Sequence, residues 1–436
     1  MLSQKQKDEI LTLLKKEVKP ALGCTEPIAV SLAVASSCEL LREIQLEPDK
    51  ITVEVSANIY KNGMGVGVPG TGMVGLHIAS ALAYICGKSE YKLEVLKDLD
   101  SESVDKAKIF LDQGAIHIKL AQTNLKLHIS ATAHAQDHYA KTIIENNHDS
   151  IVHLERDGEI LFTYNPDMGT NKKENNQQNT TNNYQLNIKN IWDFTQEIDI
   201  KDIKFILQSV KLNKALAIEG LQNVYGLQVG RTIQANIHKN IFGNGLLARS
   251  MAMTAAASDA RMAGCTLPAM SNSGSGNQGI AVTMPVVIAA EKFKSSKEEL
   301  IKALTLSHLI AIHIKQHLGK LSALCGCVVA TTGAACGIVM LKGGDFEQIC
   351  FAIKNMIGNI TGMVCDGAKV GCSLKVASGV SSAIQSAILA LDNICISGNE
   401  GIIENDIEKT IQNLANIGSK GMEFTDDMIL NIMTCK

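Results

Sequence analysis

The sequence predicts an α+β protein: a mixed α/β-type N-terminal domain with antiparallel strands, followed by a large all-helical domain that holds a cysteine-rich site. Three observations predict it. Apolar alternation with a period of two is confined to about residues 50–165. Beyond Trp192, apolar residues recur at helical spacing almost to the end of the chain. Cysteine, glycine and small polar residues gather in three separated patches, at 21–27, 324–338 and 361–375.

At 436 residues the chain can bury a large core and exceeds the usual size of one domain. Hydrophobic residues make up 46% but aromatics only 4%, so Ala, Ile, Leu, Val and Met must build the core. A formal charge of -3 with scattered lysines gives no positive field to collect nucleic acid. The opening MLSQKQKDEILTLLKKEVKP is charged and amphipathic, without the apolar centre of a signal peptide. Apolar runs such as 280–290 are too short to span a bilayer. A cytoplasmic protein with no membrane partner is expected. Twelve cysteines in such a chain point to metal binding, catalysis or packing rather than a disulfide framework. Cys38, Cys86, Cys350 and Cys395 sit among apolar helical residues and are expected as small buried hydrophobes.

Taken in order, Ile10, Leu11, Leu13, Leu14 and Val18 set a helix over 4–18, stopped by Pro20. In the turn ALGCTEP (21–27), Thr25 is expected to cap a helix from Pro27 to about Leu41. Cys24 then precedes a helix N-terminus, where free N–H groups and the macrodipole favour a thiolate or a bound carboxylate. Residues 51–59 alternate as a strand and lead into KNGMGVGVPGTG (61–72). The glycines of that stretch match neither a P-loop nor a dinucleotide fingerprint, and its apolar residues suggest a loop folded over something. Helices are expected over 75–85 and 102–113, and strands over 115–120, 124–133, 150–156 and 159–164, the last two joined at Asp157-Gly158. His128, His134 and His138 lack a Cys, Asp or Glu to complete a metal set and are expected to be ordinary polar-face histidines.

The expected boundaries are 1–168 for the α+β domain and 169–187 for a flexible Asn/Gln-rich loop. The helical domain follows over 188–436, with helices at 200–224, 245–263, 279–292, 297–317, 320–341, 346–360, 375–392 and 402–416.

Two of its turns have the chemistry of a site. SNSGSGNQG (271–279) sets serines, an asparagine and free N–H groups before an apolar helix, a good partner for a carboxylate or an amino acid zwitterion. Cys365 and Cys372 flank glycines that let both thiols converge. Cys325 and Cys327 point in different directions on a helix, so one of them joins a compact site unless the helix breaks at Gly326. Three thiolates with an open fourth position have the logic of a catalytic zinc or iron–sulfur centre, although the spacing matches neither a ferredoxin nor a zinc ribbon. Asp366 is expected to organise its turn rather than act as an acid. Lys369 and Lys375 flank the loop and are left open between substrate, cluster and solvent.

Five stretches together carry a resemblance over nearly the whole chain: ALGCTEP (21–27), NGMGVGVPGTG (62–72), SGSGNQG (273–279), LCGCVVATTGAA (324–335) and MVCDGAKVGCSLK (363–375). In these the chain resembles the L-cysteine desulfidases and their UPF0597-type relatives, a family distantly related to the iron–sulfur L-serine dehydratases. The resemblance implies a [4Fe-4S] cluster held by Cys325, Cys365 and Cys372 with one iron free, and Cys24 as proton acceptor. Cys327 is the rival to Cys325 as ligand, and Cys336 a weaker one. The implied activity is β-elimination from L-cysteine to 2-aminoacrylate, then pyruvate and ammonia. Thr25, Glu26, Asn62, Gly70, Thr71, Ser273, Ser275 and Asn277 are the expected substrate contacts. The closing cysteine pair lies nearer together than in the serine dehydratases, and GCTEP replaces their serine-rich motif, which favours cysteine over serine. The alternatives are a dehydratase for serine or another β-substituted amino acid, a non-catalytic iron–sulfur or redox sensor, and an interaction protein whose cysteines are packing. A small-molecule amino acid is the expected partner, and a homodimer the expected assembly.

Overall fold

Alternation in the first third of the chain builds one sheet, and helical periodicity in the rest builds a bundle with its own core. The computed structural model describes residues 2–164, 186–237, 239, 241–319 and 322–435. The first elements are α1 (Gln4–Glu17), a short β1 (Pro20–Ala21), α2 (Thr25–Arg42), β2 (Lys50–Val55), α3 (Ala57–Gly63), α4 (Leu76–Cys86) and α5 (Ser101–Asp112). The strands β3 (Ile116–Leu120), β4 (His128–Ala135), β5 (His138–Glu145), β6 (Ile151–Arg156) and β7 (Glu159–Thr163) follow.

Six strands pair in the order β3-β2-β4-β5-β6-β7. Only β2 and β3 run parallel, since α3 to α5 form the crossover between them. Alternate residues Ile51, Val53 and Val55 of β2 are fully buried, as are Ile129, Ala131 and Ala133 of β4. The alanines leave room for α2, whose Ser37 hydroxyl donates to the Ala131 carbonyl at 2.9 Å. The β6–β7 turn falls at Asp157 and Gly158, both with positive φ (51° and 85°), the geometry that matches strand twist. His128 and His138 each pair with a carboxylate across the sheet, Glu145 and Asp157, as polar-face histidines do.

The remaining helices are α6 (Ile188–Glu197), α7 (Ile200–Ile203), α8 (Leu207–Gln222), α9 (Val229–Ile237), α10 (Leu246–Met262), α11 (Gly276–Phe293), α12 (Lys297–Leu318), α13 (Gly326–Leu341), α14 (Phe346–Ile360), α15 (Cys372–Leu391), α16 (Ile407–Asn416) and α17 (Glu423–Thr434), with β8 (Ala269–Met270) before α11. The apolar α13 is central and packs against α11, α12, α14 and α15. Its Gly, Ala and Thr residues let those neighbours come close. By length and composition α15 could cross a bilayer, but half of it is buried in the fold, where Val376, Val380 and Ile384 join the bundle core.

Two features tie the sheet region to the bundle. Ile10 and Leu14 of α1 and Val18 at its end pack in the bundle core, not under the sheet. Strand β1 pairs antiparallel with β8, Pro20 opposite Met270 and Ala21 opposite Ala269. Together they carry the turn at Cys24 across to the helices. The expected flexible loop lies outside the described residues as far as 185, whereas Leu186 is buried in the bundle core and the Asn187 side chain caps α6.

Candidate functional site

Four helices begin at one cavity of about 1210 Å³, and the cysteines stand at or beside their first residues. Cys24 is the N-cap of α2, Ser275 of α11 and Cys325 of α13, and Cys372 is the first residue of α15. Residues from all four starts line the cavity. Converging N-termini aim free N–H groups and positive dipole ends into one space, which favours anions there.

Local sequence explains each start. The expected helix over 320–341 begins only at Gly326, because the segment before it is extended and Leu324 bridges Val364 antiparallel. Cys325 N–H donates to the Met363 carbonyl at 2.9 Å and Cys365 N–H to the Ala323 carbonyl at 2.6 Å. That bridge brings the two cysteine patches together across forty residues. The loop then turns at Gly367 (φ +94°), where an added Cβ would sit 2.1 Å from the Lys61 carbonyl oxygen of α3. Asp366 is held by ion pairs to Lys369 and Lys375. Burial works against its charge, but the two lysines win and bring the carboxyl down to about 2. At the first site turn, Cys24 rather than Thr25 takes the cap position, and the Thr25 hydroxyl turns to Glu26 at 3.3 Å.

Cys325, Cys365 and Cys372 all line the cavity, as do Cys24, Thr25, Glu26, Asn62, Ser273, Ser275 and Asn277. Gly70 and Thr71 are not among its lining residues. The Thr71 hydroxyl donates to the Val68 carbonyl at 2.7 Å and accepts from Met73 N–H at 2.9 Å, which shapes the glycine-rich loop itself. That loop folds over the end of α10, with Gly67 N–H donating to the Met262 carbonyl at 2.9 Å.

Cys327 also lines the cavity, beside Cys325. The proximity of the two thiols lowers Cys325 to about 7 despite burial and raises Cys327 well above the usual thiol range. Burial raises Cys365, and raises Cys372 to about 11, with the neighbouring thiols adding to both. Lys61 and Lys375 oppose this at Cys365. Desolvation pushes the Lys315 ammonium down to about 8, while Cys365 and Cys325 pull it back up. Among the described residues, His313, His317 and Glu408 each offer one ligand atom within 4.8 Å of the others.

Sequence reasoning missed Arg261, the last arginine of α10. Buried to 7% exposure, it donates through Nη2 to the Gly23 carbonyl at 2.8 Å and to Cys24 Sγ at 3.1 Å. Its Nη1 reaches Asn277 Oδ1 at 3.3 Å. Gly276 lies against it, and a Cβ there would meet the Arg261 Nε at 2.1 Å. Arg261 thus joins the N-terminal cysteine turn to the SGSGNQG turn. Gln278, whose Oε1 is buried without a protein partner, lines the cavity beside it. A charge in the Ala-rich, all-buried run of α10 was the available signal, because an arginine without a solvated face needs an internal role.

An α+β fold thus gathers thiols and a buried arginine where four helices begin at one cavity. The family described as the serine dehydratase alpha chain matches residues 90–431, and the chain belongs to this amino acid dehydratase-like family. It is also similar over its full length to UPF0597 proteins. It is 46% identical to one from Bacteroides fragilis, covering all of both chains. One from Phocaeicola vulgatus is 47% identical, over all of this chain and 99% of the relative. One from Oleidesulfovibrio alaskensis is 48% identical, over 98% and 97%.

Proposed function

We propose that the protein is an L-cysteine desulfidase, a β-elimination lyase in which Cys325, Cys365 and Cys372 hold a [4Fe-4S] cluster. The observation that carries this reading is the lining of one cavity by three thiols, Cys24 and four helix N-termini. The donor set fits the group: three soft thiolates line one cavity, and the cations Lys61, Lys315 and Lys375 act on them electrostatically. Cys325 is favoured over Cys327 as ligand because its thiol is held low, at about 7, while that of Cys327 is raised well above the usual range. When bound, such a cluster supplies an open iron as Lewis acid for the departing sulfur or oxygen.

The chain's own residues supply binding and proton transfer. Arg261 and the N–H groups opening α2 and α11 would hold the substrate carboxylate, with Asn277 and Gln278 beside it. Cys24, as thiolate, would take the α-proton. The C–H electron pair becomes the Cα=Cβ bond, and the Cβ–S pair leaves with sulfur as sulfide. The product, 2-aminoacrylate, adds water and yields pyruvate and ammonia. Burial of Cys24 makes its thiolate a stronger base, and the Arg261 guanidinium limits the cost of forming it.

The serine dehydratase family match favours a second reading on the same residues, elimination of water from L-serine or of another β-substituent. Anaerobic purification, iron and acid-labile sulfide assays, and pyruvate release from cysteine beside serine separate the two. About four irons per chain with pyruvate and sulfide from cysteine is the expected result. Pyruvate from serine alone would replace the substrate. Absence of iron after anaerobic reconstitution would overturn the cluster. C325S, C365S and C372S are each expected to lose iron, and C327S to retain it.

A further inference from the structure

We propose that His313, His317 and Glu408 form a second metal site, for a divalent cation of the zinc, cobalt or nickel type, separate from the cysteine centre. His313 and His317 are one turn apart on α12, so both imidazoles leave the same face. Their ring centroids are 4.8 Å apart, edge to face. Glu408, in the first turn of α16, places Oε2 2.7 Å from Nε2 of His313. One ligand atom from each of the three lies within 4.8 Å of the others. A divalent ion holding nitrogen and oxygen at about 2.0–2.2 Å needs such atoms about 3–4 Å apart, a closure within reach of side-chain rotation.

The carboxylate is already aimed. Its Oε1 accepts Ile188 N–H at 2.7 Å, which leaves Oε2 toward the imidazoles. A backbone donor that fixes the orientation of a ligand is the outer support metal sites use. His313 is 1% exposed, while His317 and Glu408 border a cavity of about 380 Å³ that they share with Asn187 and Gln412. That cavity gives an entry path and room for water at the open position. Two imidazoles and one carboxylate suit zinc, cobalt or nickel better than magnesium or calcium. Lys409 also borders the mouth, but it is exposed and its charge is screened. The bound ion would pin α12 to α16 and to the start of α6 along one wall of the large cavity, which His313 and His317 also line. The site does not depend on what the cysteines hold.

Cobalt(II) is the probe, because nitrogen and oxygen ligation gives visible d–d bands without the intense near-ultraviolet charge transfer of a thiolate. Anaerobically prepared full-length protein is titrated with cobalt and then competed with zinc. The expected result is one saturable equivalent with d–d bands alone, displaced by zinc. H317A and E408Q should each weaken it about tenfold or more, and a C325S/C365S/C372S chain with an unchanged far-ultraviolet dichroism spectrum should keep it. Three results would overturn the site: no saturable equivalent, binding unaltered in both variants, or binding lost in the folded C325S/C365S/C372S chain.

Discussion

Burial raises the Cys24 thiol and Glu26 adds to the effect, while the guanidinium of Arg261 opposes both. Arg261 therefore offsets part of what burial does to Cys24 and, in the proposed reaction, would face the substrate carboxylate. R261M is expected to lower kcat/KM for pyruvate formation by about 100-fold or more with iron content unchanged. R261K should recover only part of that, since one ammonium cannot span Gly23, Cys24 and Asn277 together. An equal loss in iron would reassign Arg261 to structure. G276A is expected to reproduce the R261M defect, because its methyl occupies the space of the guanidinium. Cysteine, glycine and small polar clusters were visible in the sequence, so the cysteine and small-polar part of the cavity lining was legible at this scale. Arg261 was not, because periodicity registers a residue's face and says nothing of its partner across 237 residues.

Between elements, the cysteine loop rests on α3, and α3 is fastened to α17 by the ion pair of buried Lys61 with Asp426. K61M should destabilise the protein by about 2 kcal/mol, near the low end for a broken buried pair because Asp426 is partly exposed. A thermal melt with unchanged midpoint would show the pair to be idle. Neither helix was expected. Residues 57–63 continue the apolar content of β2, so strand alternation appeared to run on past Val55. In α17 the apolar residues Phe424, Met428 and Ile432 share one face at helical spacing, yet the last helix expected from the sequence ended at 416, and the structure leaves that face exposed. The strand β5 was passed over and the start of α13 was placed early. A ladder partner and a cap are tertiary facts with little local signature.

Across the whole molecule, the imidazole of His308 is fully enclosed between Asn272 and Thr283, and burial lowers it to about 3. The folded state therefore resists a proton that the unfolded chain accepts below its ordinary value of 6.5. Between those two values the unfolded state binds more protons, so stability rises with pH. The contribution is full above 6.5 and falls by about 1.4 kcal/mol per pH unit on acidification toward 3. Urea titrations between pH 4 and 6 should show this slope in the wild type and its loss in H308Q; equal slopes would remove His308 from the account. The α+β class was legible at this scale because a period of two and a period of 3.6 occupy separate stretches. The crossing of α1 to the bundle was not, since an amphipathic helix fits either core.

The pairing of β1 with β8 sets a timetable. A ribosome makes Cys24 first and must add some 250 residues before β8 exists to receive that turn, and about a hundred more before Cys372 appears. No nascent fragment can enclose the cavity, and contacts so distant in sequence form slowly. Any group the cysteines hold must then be delivered to a finished chain, and the thiols stay accessible to oxidants and stray metals until the two ends of the site meet.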